Sequence, residues 1–140
     1  MAGSKETSFF QIVVKLIYVN LKFLNYGLAI LKLIFFFIWT LLLLPPYLLV
    51  KIVKEIIPND LEFSIRSLWS KFGLWLCKLQ VVVHGKASYC DAYACNHVSW
   101  LDILALQSIL DISFVAKSEV KGWPVFGFLA QIADTIFVDR

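Results

Sequence analysis

Hydrophobic and polar positions divide the 140-residue chain into an apolar N-terminal part and a more mixed C-terminal part. From Phe9, polar residues recur at steps of three, four or seven, which predicts a helix with one polar stripe. An uncharged run follows over residues 33–50, and Pro45 and Pro46 interrupt it. The N-terminal part therefore has the character of membrane-associated helices rather than of a soluble core.

Two membrane arrangements fit this apolar part. A striped helix favours the membrane interface over contact with lipid on all sides. The uninterrupted residues 33–44 would cover only about 18 Å of a hydrocarbon core that is roughly 30 Å thick. We therefore expect a hydrophobic hairpin embedded from one face, with Gly27 as its loosening point. A single spanning anchor with a proline kink is the alternative.

Pro58, Asn59 and Asp60 combine a helix stop with a helix cap and mark a boundary. Residues 1–57 are predicted to be membrane-associated helices, and residues 58–140 part of a folded domain. An amphipathic helix is predicted after Asp60. Strands predicted at residues 81–83, 91–95, 112–116 and 135–138 alternate with helices at 99–110 and 123–133. This alternation predicts an α/β fold with an incomplete, largely parallel sheet.

Composition and charge support a membrane location. The chain is 60% hydrophobic, with a mean hydropathy of +0.78, and its net charge is +3. Lysines beside the apolar segments suit an anionic membrane face, which predicts the cytoplasmic side of the inner or an internal membrane. The basic surface interleaved with aromatics that nucleic-acid binding needs is missing from the sequence. The three cysteines lack zinc-site spacing and are interpreted as reduced thiols.

His97 and Asp102 are the candidate catalytic residues. A histidine can take a proton from a hydroxyl near neutral pH, and a carboxylate can hold its ring in the useful tautomer. On one helix a five-residue step would place the two side chains about 140° apart. We therefore expect His97 in the turn before a helix and Asp102 in its first turn, with Ser99 as the N-cap.

Structural interpretations compete with this one. Ser99-x-x-Asp102 also fits a capping box, in which the carboxylate satisfies a backbone donor and has no catalytic role. Cys95 lies two residues before His97 and could be read as a nucleophile, although a cysteine at a strand end is more often core filler. His84 has no carboxylate nearby in the sequence and is expected to end a strand.

The run of residues 96–103 resembles the first motif of the glycerolipid acyltransferases, the family that contains 1-acylglycerol-3-phosphate O-acyltransferase. Residues 114–119 and 124–127 resemble the segment that links the first and second motifs of that family. Residues 135–140 resemble the second motif. The resemblance covers roughly residues 60–140 and keeps the order of the motifs.

The resemblance implies transfer of a fatty acyl group from acyl-CoA or acyl-carrier protein to lysophosphatidate or glycerol 3-phosphate. His97 would be the general base, and Asp102 would orient it. Arg140 is expected to bind the acceptor phosphate, because a guanidinium suits that group. Lys117, after the third predicted strand, is a candidate for binding the anionic thioester, although a charged loop there could simply be solvated. Neither a metal nor a tightly bound cofactor is implied.

The sequence departs from the family pattern in two places. Asp134 stands where the second motif often has glycine, and the Pro-Glu-Gly-Thr run of the third motif does not occur. We therefore expect residues 58–140 to be a truncated catalytic domain. The alternative function is a catalytically inactive relative that binds a membrane or a partner.

Overall fold

The computed structural model describes residues 13–18, 26–53, 60–85 and 92–139, with the backbone alone for 13–18 and 26. The chain divides into two compact units, Met1–Ile109 and Leu110–Arg140. The elements of the first unit are β1 Val13–Tyr18, α1 Tyr26–Ile52, α2 Asp60–Leu76, β2 Leu79–His84 and α3 Leu101–Gln107. Those of the second are β3 Val115–Lys117, a 3-10 helix Ser118–Gly122, α4 Phe126–Ile132 and β4 Ile136–Val138.

The long apolar run forms one continuous helix, α1, and both prolines lie inside it. The predicted hairpin of two helices, loosened at Gly27, is wrong, because Gly27 lies in the first turn of α1 and residues 13–18 before it form a strand. At 1.5 Å per residue, α1 is about 40 Å long. Each proline removes a backbone donor, and contacts with α2 on both sides of the pair stabilise the helix across that defect.

Helix α2 packs antiparallel against one face of α1. The Trp69 indole N–H donates to the Thr40 hydroxyl at 2.8 Å, before the prolines, and the Tyr47 hydroxyl donates to Glu62 at 3.1 Å, after them. Aromatic rings in tilted contact add apolar area between the helices, with centroids 5.1 Å apart for Phe36 and Trp69. These contacts cover one stripe of α1 and leave the opposite stripe of the helix open.

The core of the first unit lies where α2, β2 and α3 meet, at Leu74, Leu79 and Leu104. The amphipathic helix predicted after Asp60 is α2, but Leu61 and Leu68, which were predicted to lie on its apolar face, are exposed. Small residues are buried instead, because they let the neighbouring helices approach closely. The buried residues of α2 are Glu62, Ser67, Ser70, Gly73 and Leu74.

Strand β1 corrects the helix predicted from Phe9. Residues 13–18 pair antiparallel with β2, from Val13 opposite His84 to Tyr18 opposite Leu79. Valine, isoleucine and tyrosine favour strands, and the valine-rich β2 offers a partner for their backbone hydrogen bonds. The polar stripe in the sequence did not reveal this long-range pairing.

The second unit has the βαβ order predicted for this part of the chain. Strands β3 and β4 are parallel, with Val115 opposite Ile136 and Lys117 opposite Val138. Helix α4 begins after a tight turn at Val125, where the Phe126 N–H donates to the Pro124 carbonyl at 2.7 Å. The mixed helix and sheet content, the apolar N-terminal helix and the small parallel sheet confirm the predicted fold class.

The structure also bears on one predicted strand in the first unit and on the departure from the family pattern at Asp134. Residues 92–95, predicted as a strand, have no regular secondary structure and pair with no strand in the described part of the chain. Asp134, the departure from the family glycine, has a φ of 56°. That left-handed conformation favours glycine, and aspartate is among the few other residues that tolerate it.

Candidate functional site

The candidate site lies where the irregular segment 92–99 turns into α3. Ser99 and Trp100 form the first turn, since the Asp102 N–H donates to the Ser99 carbonyl at 3.0 Å. This turn reverses the chain and brings two side chains together across five residues. His97 Nδ1 lies 3.3 Å from Asp102 Oδ2, as the sequence analysis predicted.

One carboxylate oxygen organises the whole turn. Asp102 Oδ2 accepts the backbone N–H of Val98 at 2.9 Å and that of Ser99 at 2.8 Å, in addition to its contact with His97. Partial burial is the largest influence on the pKa of Asp102 and raises it. The two backbone hydrogen bonds and the contacts with His97 together outweigh that effect, so the net pKa of Asp102 is lowered.

The capping interpretation and the catalytic interpretation both involve the same carboxylate oxygen, Asp102 Oδ2. The Ser99 N–H donates to Asp102 at 2.8 Å, which is one half of a capping box, and the Ser99 hydroxyl accepts the Leu101 N–H at 3.2 Å. The N-cap position of α3 itself is Trp100 rather than the predicted Ser99. The same Oδ2 contacts the imidazole. The backbone hydrogen bonds therefore do not exclude a catalytic role, because they hold the same carboxylate that contacts His97.

The contact with Asp102 leaves one nitrogen of His97 available for chemistry. When Nδ1 carries the ring proton and faces the carboxylate, the unprotonated Nε2 can accept a proton from a hydroxyl. The His97 side chain is 60% exposed, and the Asp102 side chain is 22% exposed. The arrangement thus combines an accessible base with a held and ionised carboxylate.

The other predicted site residues lie in different parts of the chain. Lys117 is the exposed last residue of β3 and belongs to the second compact unit, whereas His97 and Asp102 belong to the first. Arg140 lies outside the described residues. Cys95 is an exposed free thiol in the irregular segment rather than at the end of a strand.

The capping-box spacing Ser99-x-x-Asp102 predicted that the carboxylate accepts a backbone N–H, which is that of Ser99. Sequence reasoning missed the second backbone donor, the N–H of Val98, which lies outside that spacing. Among residues 26–53, 60–85 and 92–139, no cluster of three histidine, cysteine or acidic side chains could hold a metal ion.

Comparison with known proteins agrees with the geometry. The acyltransferase family matches residues 82–140, which include the whole of the His97 turn. Over 74 residues the chain is 46% identical to lyso-ornithine lipid O-acyltransferase of Rhizobium meliloti, an alignment that covers 51% of the chain and 25% of that relative. Over 47 residues it is 53% identical to 1-acyl-sn-glycerol-3-phosphate acyltransferase of Neisseria gonorrhoeae, covering 34% of the chain and 18% of the relative.

These matches cover only part of each relative. The chain spans about a quarter of the length of the lyso-ornithine relative and less of the other. No solved structure matches the chain. The matched part nevertheless contains the His97–Asp102 turn, the parallel β3–β4 pair and the residues that resemble the second motif. Residues 82–140 are therefore similar to the acyltransferase family, and the relatives that share this segment are named as lyso-ornithine lipid and 1-acyl-sn-glycerol-3-phosphate acyltransferases.

Proposed function

We propose that the protein transfers a fatty acyl group from a thioester donor to the hydroxyl of a lysolipid, with His97 as the general base. The observation that carries this proposal is the 3.3 Å contact between His97 Nδ1 and the carboxylate of Asp102. Both residues lie inside the segment that matches the acyltransferase family. Acyl-CoA or acyl-carrier protein is the proposed donor. The reaction uses neither a metal nor a covalent enzyme intermediate.

In the proposed reaction, His97 and Asp102 have separate roles. His97 Nε2 accepts the proton of the acceptor hydroxyl as its oxygen attacks the thioester carbonyl carbon. The new C–O bond forms, the C–S bond breaks, and the imidazolium returns its proton to the departing thiolate. Asp102 stabilises the imidazolium during this cycle, as the carboxylate does in hydrolase triads. Its lowered pKa keeps it charged at neutral pH.

Lysophosphatidate is the proposed acceptor, with phosphatidate as the product. Supporting this choice, one relative is named as a 1-acyl-sn-glycerol-3-phosphate acyltransferase and is 53% identical in the matched region. A lyso-ornithine lipid is the second candidate, because another relative is named for that substrate and matches over a longer stretch. Arg140 and Lys117 are the proposed contacts for the acceptor phosphate and the anionic donor.

We also propose that α1 lies in a membrane surface and brings the site to its lipid substrate. The helix is long and apolar enough to cross a membrane by length and composition. However, α2 covers one stripe of α1, and Lys71 on α2 is exposed. A helix pair with one open apolar stripe suits insertion from one face. The open stripe contains Leu31, Ile34, Ile38, Leu41, Leu42 and Leu49.

The test of the function replaces His97 with Ala in membranes that contain the protein. We expect acyl transfer to lysophosphatidate to fall by about 10²- to 10⁴-fold, the usual contribution of a general base. The matched control is His84→Ala, because His84 is also exposed but ends β2 away from any catalytic contact. Equal activity of His97→Ala and wild type would exclude the proposed role.

The choice of acceptor needs a separate measurement. Lysophosphatidate and a lyso-ornithine lipid would compete for a limiting amount of labelled acyl donor, and the ratio of labelled products gives the ratio of kcat/KM values. We expect phosphatidate to be the main product. A dominant acylated ornithine lipid would retain the His97 chemistry and replace the proposed acceptor.

A further inference from the structure

A groove of about 360 Å³ lies in the first unit, beside the end of α2 and away from the His97 turn in the sequence. Its apolar wall is formed by Trp75, Leu76 and Leu79, and its polar rim by Lys32, Lys78 and Gln80. The apolar wall suits the hydrocarbon part of an amphiphile, and the cationic rim suits a negatively charged head group. The proposed acyl transfer uses none of these residues.

The two lysines reach the groove from different elements. Lys32 is half-buried in α1, on the stripe that faces α2, whereas Lys78 is exposed in the turn between α2 and β2. Partial burial raises the pKa of the nearby Cys77 thiol, and the charge of Lys32 opposes that rise, which places the Lys32 ammonium near this turn. Neither lysine forms an ion pair with any residue that the structure describes.

The backbone holds the rim in place. Lys78 has a φ of 54°, and its N–H donates to the Trp75 carbonyl at 2.9 Å, which closes the turn after α2. Leu79 anchors the following strand in the core, with only 7% of its surface exposed. The lysine therefore projects from a fixed turn rather than from a free loop.

The position of the groove along α1 indicates the kind of anion. Lys32 directly precedes the uncharged run of residues 33–50. The open stripe of that run is the protein surface proposed to contact the membrane. Trp75 is 69% exposed at this same end of the helix pair. Tryptophan and lysine at the edge of an apolar surface occur together at the level of lipid head groups.

From this charge complementarity we infer that the groove binds the phosphate head group of an anionic phospholipid, with Lys32 and Lys78 contacting the phosphate. Trp75, Leu76 and Leu79 contact the glycerol and the first carbons of the acyl chains. The inference rests on the proposed membrane attachment of α1. It assigns to this end of the helix pair a lipid site distinct from the proposed acyl-transfer site.

The test uses the full chain in a nonionic detergent, with phosphatidylglycerol and phosphatidylcholine offered together, and native mass spectrometry to measure the lipid that stays bound. We expect preferential retention of phosphatidylglycerol. Lys32→Gln and Lys78→Gln should each weaken that retention about threefold, and the double variant about tenfold, as expected for partly exposed charge pairs. The matched control is Lys71→Gln, an exposed lysine on α2 outside the groove.

Three results would overturn the inference: equal retention of both lipids, unchanged retention in the double variant, or an equal loss in Lys71→Gln. Displacement of the lipid by an equal concentration of inorganic phosphate would also overturn it, since a free anion would then fill the site without the apolar wall. His97→Ala should bind phosphatidylglycerol normally. The lipid-binding measurement is therefore independent of acyl-transfer activity. Circular dichroism of each variant is the control for folding.

Discussion

Asp102 Oδ2 is the atom on which the candidate site depends, because it contacts two backbone N–H groups and the His97 ring. The turn at the start of α3 and the contact with His97 share this oxygen, so a substitution of Asp102 removes both. A stability measurement and an activity measurement would therefore report different functions of the same oxygen. The effect of pH on the cap follows from the lowered pKa of Asp102.

We expect Asp102→Ala to lower the free energy of unfolding by about 1 kcal/mol at neutral pH, the usual cost of losing a helix cap. A lowered folded-state pKa stabilises the fold above the ordinary value of 3.8. That stabilisation is lost as the pH falls through the folded-state pKa, since the carboxylate is then protonated. The difference between wild type and variant should thus shrink below pH 3.8.

Urea denaturation followed by circular dichroism at neutral and acidic pH measures this difference. Asp139→Ala is the control, because Asp139 is exposed and makes no capping contact. A wild-type advantage that persists unchanged in acid would mean that the charge of Asp102 does not stabilise the turn.

At the scale of elements, close helix approach decides the core of the first unit. A Cβ added at Gly73 would lie 2.9 Å from both Leu104 Cδ1 in α3 and Phe36 Cε2 in α1. Glycine at this position therefore sets how closely α2 packs against the two neighbouring helices. The same approach explains why Ser67, Ser70 and Gly73 occupy the buried face of α2, while Leu61 and Leu68 lie outside it.

We expect Gly73→Ala to lower the free energy of unfolding by about 1–3 kcal/mol, as overpacking of a tight interface does. Gly27→Ala is the matched control, because a Cβ at Gly27 meets no atom within 4 Å. That control should leave stability unchanged or raise it slightly, since alanine favours a helix over glycine. Thermal unfolding of both variants in the same detergent tests the pair, and an unaffected Gly73→Ala would contradict the packing described.

At the scale of the whole molecule, α1 could either span the membrane or insert into it from one face. The helix length allows spanning, but α2 accompanies α1 for most of that length and brings Glu62 and Lys71 with it. Charged side chains in a lipid core are costly, so insertion from one face avoids that cost. Both ends of α1 would then lie on the same side of the membrane.

This topology predicts the labelling of cysteines placed at the ends of α1. In sealed vesicles, Gly27→Cys and Lys51→Cys should react with a membrane-impermeant maleimide from the same side, after Cys77, Cys90 and Cys95 are replaced with serine. A spanning helix would expose the two positions on opposite sides. Labelling of each variant in detergent is the control that both thiols can react.

The sequence alone determined the elements whose information is local. The uncharged run predicted an apolar segment, Asp60 predicted the start of α2, and Ser99-x-x-Asp102 after His97 predicted the turn that brings His97 and Asp102 together. The order of strand, helix and strand after residue 110 was also predictable. Each of these depends on hydrophobic periodicity, caps or short-range contacts within a few residues, which a sequence shows directly.

Tertiary structure decided the rest, because the deciding contacts join distant residues. The continuity of α1 through Pro45 and Pro46 depends on α2, and the strand at residues 13–18 depends on β2. Residues 92–95 were predicted as a strand but have no neighbouring strand in the described part of the chain. The buried face of α2 and the groove at Lys32 and Lys78 likewise exist only once the helices pack, since hydrophobic periodicity cannot show which neighbour covers which face.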